Sequence, residues 1–239
     1  MIEPSASLDG LVRPGPVLVL APHPDDEALG CGELLASCWA EGRAAHVACL
    51  TDGSASHPGS RAWPPHRLAR LRRAEMGAAI AHLGGDPARD LTWLGHPDAG
   101  CHRMGTALAA DVGRVVDRTG ARTLVAPSPL DPHCDHEAGA AAAVAVAGAR
   151  TGLRLLFYPV WSRWVADGGA PRPAGTRRHA FAAPAHRAAK RRAIAAHASQ
   201  AGRVVRDAPD GFVLPCGFAA MFLDGPELFD EPLEVPAWT

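Results

Sequence analysis

Val17-Leu18-Val19-Leu20-Ala21-Pro22-His23-Pro24-Asp25-Asp26-Glu27-Ala28-Leu29-Gly30 decides the reading of this chain. A short apolar run, Val17–Leu20, has the length and composition of a buried parallel strand. It stops at a packed set of polar groups, and a Gly/Ala/Leu segment of helical character follows at once. Ligands of open α/β sheets collect at the carboxyl ends of strands. His23, Asp25 and Asp26 fall at such an end. Imidazole and carboxylate suit a borderline cation such as zinc, and a neighbouring carboxylate can act as a base on metal-activated water.

The same design recurs farther along. Thr123–Ala126 reads as a strand, and Asp131-Pro132-His133-Cys134-Asp135-His136-Glu137 follows it, ahead of an Ala-rich helix over Glu137–Arg150. His23 and Asp26 from one strand end and His136 from the other make three protein ligands with room for water. That is the arrangement of a catalytic metal centre. Asp25 lies between two of them and is either a base or a carboxylate that orients His23. His133 beside Asp135 is either an acid or oxyanion stabiliser, or a supporting side chain.

Between and beyond these motifs the pattern alternates strand and helix. Strands are expected at Ala45–Leu50, Leu91–Leu94 and Leu153–Tyr158. Helices are expected over Glu27–Glu41, capped by Asp26, over His66–Leu83, ended by Gly84-Gly85, and over Met104–Arg118. This predicts an α/β, Rossmann-like three-layer fold with a mostly parallel central sheet. Arg177–Phe181 reads as a further strand and Pro184–Ser199 as a helix. The segment from Gly202 to Thr239 holds short candidates at Val204-Val205, Phe212–Leu214 and Ala219–Leu223 that pattern alone does not order.

Bulk properties narrow the function class. At 239 residues, 47% hydrophobic and 21% charged, one globular domain is expected, with residues 1–16 an irregular lead-in. A net charge of −1 argues against generic nucleic-acid binding. No apolar run reaches the roughly 20 residues that span a bilayer, and the first residues carry no signal pattern, so a cytoplasmic location is expected. The six cysteines form neither a zinc ribbon nor a disulfide framework. Cys134 differs from the others in lying inside a His/Asp cluster, where it reads as a small filler.

Weaker signals surround the two clusters. Thr51-Asp52-Gly53 is a turn or a wall of the site. Arg72 and Glu75, three apart on a helix, read most simply as a surface ion pair. Asp98 ends a strand and could contact a substrate hydroxyl. Arg187, Lys190, Arg191 and Arg192 read as a solvated face. Trp161 and Trp164 fit either a core or a sugar-stacking wall.

Together, Ala21-Pro22-His23-Pro24-Asp25-Asp26-Glu27, Thr51-Asp52-Gly53, Arg72-x-x-Glu75 and His133-Cys134-Asp135-His136 resemble the PIG-L (LmbE-like) deacetylases. Lys190, Ala193-Ile194 and His197-Ala198-Ser199-Gln200 are similar to that family's C-terminal pattern. The resemblance implies zinc-dependent hydrolysis of an N-acetyl group on a small-molecule amino sugar. It implies His23, Asp26 and His136 as metal ligands, Asp25 as general base, and His133, oriented by Asp135, as acid or electrostatic stabiliser. Arg72 and Asp98 match positions that face substrate. Ligation of this type suits Zn²⁺, and also Fe²⁺. Pro22 stands where the family commonly has Ala, and Asp131 where some members carry Tyr. A hydrolase of another bond, such as a phosphoester, and a non-catalytic sugar-binding module are the rival readings. Oligomeric state is not legible.

Overall fold

A computed structural model describes residues 7–166 and 169–235. Its centre is one seven-stranded sheet in the order β3-β2-β1-β4-β5-β7-β6. The strands are β1 (Val17–Ala21), β2 (Ala45–Thr51), β3 (Leu91–His96), β4 (Thr123–Pro127), β5 (Arg154–Tyr158), β6 (Thr176–Phe181) and β7 (Glu227–Pro232). β1 to β5 pair in parallel, while β7 runs antiparallel to both β5 and β6. The chain order reverses at β1, whose successors lie on opposite sides of it. That is the switch point at which strand ends open a crevice for ligands.

The helices are α1 (Leu8–Leu11), α2 (Asp26–Ala40), α3 (Pro65–Leu83), α4 (Pro87–Asp90), α5 (Thr106–Thr119), α6 (Cys134–Gly148), α7 (Trp161–Val165), α8 (Arg187–Ala196) and α9 (Phe218–Met221). Two apolar layers flank the sheet. One joins Val17 and Val19 to residues of α2, α3 and α8. The other joins Leu18 and Leu20 to residues of α5 and α6. The alternation of β1 between the two layers, with every residue buried, explains its uninterrupted apolar sequence. β3 is an edge strand and is only half-buried.

Local chemistry sets the boundaries. α3 starts with Pro65 in its first turn and ends at Gly84, which adopts φ +100°. Gly30 lets α2 lie against β5, because a Cβ there would fall 2.2 Å from the Tyr158 ring. The Tyr158 hydroxyl in turn donates to the Leu20 carbonyl at 2.7 Å, tying β5 to the strand that carries the first cluster.

Several expectations are corrected. Asp26 does not cap α2. Asp25 is the cap residue and makes no side-chain cap bond, while the Asp26 carboxylate accepts the His23 N–H at 2.9 Å. The helix expected to Ser199 ends at Ala196. Lys190 is not solvated: it is 1% exposed and its Nζ lies 2.7 Å from Glu227 Oε1. Arg187 pairs with Glu33 at 2.9 Å. Arg72 and Glu75 are both buried and do not pair with each other, since Glu75 accepts from the Ser199 N–H and hydroxyl. Of the three C-terminal candidates, only the third holds regular structure, the short α9, and the strand of that region is β7.

Candidate metal and catalytic site

The carboxyl ends of β1 and β4 and the starts of α2 and α6 converge as the two sequence clusters require. A cavity of about 330 Å³ opens there, lined by His23, Asp25, Asp26, Arg72, Asp98 and His133 and walled by Val160, Trp161, Phe212 and Leu214. Trp161 therefore belongs to the wall, meeting Phe212 edge-on at 5.6 Å between centroids.

Asp26 Oδ2 sits between two imidazoles, 3.4 Å from His23 Nδ1 and 3.3 Å from His136 Nε2. Ligand atoms held about 2.0–2.2 Å from a tetrahedral zinc lie roughly 3.3–3.5 Å apart, so this spacing fits a metal. His136 Nε2 is buried and makes no hydrogen bond, which a cation at this point would explain. The remote nitrogen of each imidazole is braced by carboxylate. His136 Nδ1 lies 2.9 Å from Asp131 Oδ2. His23 Nε2 lies 3.2 Å from Asp135 Oδ2 and 3.3 Å from Asp98 Oδ1. Such bracing orients ligating imidazoles and raises their basicity.

The electrostatics point the same way. Burial opposes charge on both rings, yet Asp26 and Asp131 push His136 up to about 9, and Asp135, Asp26 and Asp98 raise His23 well above its usual value. Burial also opposes ionisation of Asp26, but the facing His136 and His23 hold it below the usual carboxylate range. The spot between these groups attracts positive charge. His133 also lies close, and a ring nitrogen from each of His23, His133 and His136 falls within 4.8 Å of the others. Asp26 Oδ2, by contrast, contacts both the His23 and the His136 rings. His133 Nδ1 is already committed, accepting the Asp135 N–H at 3.2 Å.

Asp25 stands apart from the trio. Its backbone takes φ +137°, a region disfavoured for any residue with a Cβ. Its N–H donates to Glu27 Oε2 at 3.0 Å, its carbonyl accepts the Ala28 and Leu29 N–H groups, and Arg72 Nη2 approaches its Oδ2 at 3.5 Å. Arg72 is fixed by the Gly53 and Pro24 carbonyls at 3.0 and 2.9 Å. Gly53 is required there, since a Cβ would fall 2.6 Å from the guanidinium. Burial pushes the Asp25 carboxyl up to about 7, against the pull of Arg72.

Three features depart from expectation. His133 is oriented by the backbone N–H of Asp135, not by its carboxylate, which faces His23. Asp98 also contacts His23, besides accepting the Ala55 N–H at 2.9 Å. Asp52 accepts from Ser54 and Asp98 N–H groups, the turn role. Sequence reasoning missed Asp131 as a brace. It also missed the buried pair Glu27–His197, 3.0 Å apart, which backs Asp25. The five-residue spacing of Asp131 and His136 was the available signal for the first. Nothing local links residues 27 and 197.

Comparison with known proteins agrees with this architecture. The 2'-N-acetylparomamine deacetylase of Streptomyces fradiae is 32% identical, over a match covering 56% of this chain and 53% of that protein. The chain thus spans about half the length of that curated relative. Among solved structures, the antimicrobial reagent A40926 pseudoaglycone deacetylase superposes with a TM-score of 0.69 at 24% identity, covering 93% of this chain and 98% of the other. The N,N'-diacetylchitobiose deacetylase from Pyrococcus horikoshii gives 0.63 at 20%, covering 77% and 70%. These two likenesses establish the fold. The family model described as GlcNAc-PI de-N-acetylase matches residues 18–147, the span that runs from the first His/Asp cluster through the second, and the chain therefore belongs to the PIG-L family.

Proposed function

We propose that this protein is a zinc-dependent amide hydrolase that removes the N-acetyl group from a small amino-sugar compound. The observation that carries the reading is Asp26 Oδ2 within 3.4 Å of two carboxylate-braced imidazoles, with an ionisable carboxylate, Asp25, beside but outside that trio. A binding module has no need of such a base. The relatives named above, deacetylases of 2'-N-acetylparomamine, N,N'-diacetylchitobiose and the A40926 pseudoaglycone, support the substrate class.

His23, Asp26 and His136 would hold the metal, through Nδ1, Oδ2 and Nε2 respectively. Zinc bound there would acidify a water molecule and draw charge from the acyl carbonyl. Asp25, poised near neutrality, takes the proton of the attacking water. Arg72 fixes the reactive carboxylate and favours its ionised form. His133 accepts at Nδ1, so its neutral ring carries the proton on Nε2. Burial and the neighbouring imidazoles lower it to about 4, which keeps that ring neutral at pH 7. Its role is then to donate a hydrogen bond to the oxygen that gains charge. The departing amine receives its proton from Asp25, the group that took one at the first step. Asp98 and Asp135 act through His23, and Asp98, on the cavity wall, is also placed for a substrate hydroxyl.

We read the described chain as a single domain, because β7 and the segment carrying Phe212 complete the sheet and the cavity. Among the described residues no helix is long and apolar enough to cross a membrane. Free-amine release from a panel of N-acetylated amino sugars tests the proposal. Turnover that requires metal is expected. Metal-dependent hydrolysis of phosphoesters with no amine release would defeat it.

A further inference from the structure

Cys134 takes no part in the chemistry above, yet it lies between two groups of functional type. A ring nitrogen of His102, Cys134 Sγ and a carboxylate oxygen of Asp135 all fall within 4.8 Å of one another. Sγ is 3.9 Å from Asp135 Oδ1. His102 and Cys134 border a second cavity, of about 320 Å³, between α5 and α6 and distinct from the one that holds Asp25. His102 is exposed and Cys134 half-buried, so these two donors are reachable from solvent, while Asp135 lies buried behind them.

The donors have defined geometry. Asp135 is buried and held by the Ala99 and Cys101 N–H groups at 2.8 and 2.9 Å. Cys134 opens α6, which fixes its backbone. One thiolate, one imidazole and one carboxylate, with a position left for water, is a donor set for zinc rather than for magnesium or calcium.

We propose that His102, Cys134 and Asp135 form a second site, for a thiophilic divalent cation, and that filling it inhibits the enzyme. Binding replaces the Cys134 S–H proton, which leaves to solvent, by an S–metal bond. Asp135 is the link. The carboxylate that would receive this cation also braces His23 Nε2 at 3.2 Å, so charge drawn to the new cation is withdrawn from a ligand of the first. Three donors, one of them exposed, make this the weaker of the two sites. The cation inhibits while free metal is in excess and leaves on dilution. The inhibition rests on the deacetylase reading; the binding does not.

Equilibrium dialysis with zinc, and the spectrum of the cobalt(II)-loaded protein, test it. The wild type is expected to bind two cations per chain at excess metal and to show a thiolate-to-cobalt band as the second enters. His136→Ala should lose the tight site and keep that band. Cys134→Ser should bind one cation, lose the band and keep its activity at zinc levels that reduce wild-type turnover more than fivefold. Cys216→Ser, which alters the exposed thiol, should behave as wild type. A single cation per chain in the wild type, or a second one whose band survives Cys134→Ser, would overturn the site. Two cations bound with undiminished amine release would overturn the inhibition.

Discussion

Asp131 Oδ2 lies 2.9 Å from His136 Nδ1, and neither side chain reaches solvent. Asp131 also accepts from the Val160 and Ser162 N–H groups and the Ser162 hydroxyl, so it cannot turn away. It fixes which nitrogen of His136 faces Asp26. Asp131→Asn keeps the shape and removes the charge. Metal affinity should fall about 10–100-fold, read by competition with a chelator. Unchanged affinity would remove Asp131 from the support of the site.

Arg72 opposes the burial that raises Asp25. A base works only when ionised, so kcat/KM should rise with pH through the ionisation of Asp25, placed at about 7, and level off above it. Arg72→Met removes the cation that favours the carboxylate, and the rising limb should move to higher pH. Arg72→Lys keeps a charge and should move it less. A limb that stays in place in Arg72→Met would sever Arg72 from the base.

Lys190 and Glu227 form a buried ion pair, with Glu227 also accepting the Glu33 and Leu34 N–H groups of α2. Lys190→Ala strands a buried carboxylate. A loss of about 3–5 kcal/mol is expected, measured by denaturant unfolding. Loss below 1 kcal/mol would mean that water reaches Glu227.

Gly30→Ala places a methyl group against the Tyr158 ring, which is pinned by its bond to Leu20. Overpacking of this kind costs about 1–3 kcal/mol. Because Gly30 is in the helix that starts with Asp26, turnover should fall as well. A fully stable Ala variant would show that α2 is free to shift.

How much of this was legible before folding depended on distance along the chain. β1 and β4 announce themselves because each joins an apolar run to a His/Asp cluster within a few residues, and the proposed metal trio is drawn from those two clusters. β7 was missed because Glu227, Asp230 and Glu231 make it read as a loop. Their charges are met by Lys190, Arg178 and Arg154, partners that only the fold supplies. The same holds for His197, which supports Glu27 from 170 residues away. Lys190 looked like part of a solvated basic face because its neighbours Arg191 and Arg192 are exposed. Adjacency makes Asp135 read as the partner of His133, while the segment carrying Ala99 and Cys101 turns its carboxylate to His23.

The central claim is that a metal held by His23, Asp26 and His136 works together with a separate base, Asp25. Amine release from an N-acetylated amino sugar, compared between wild type and Asp25→Asn at equal bound metal, tests it most directly. The account predicts that the variant keeps its metal and loses about 10²–10⁴-fold in kcat. Turnover within a few-fold of wild type at full metal content would contradict it.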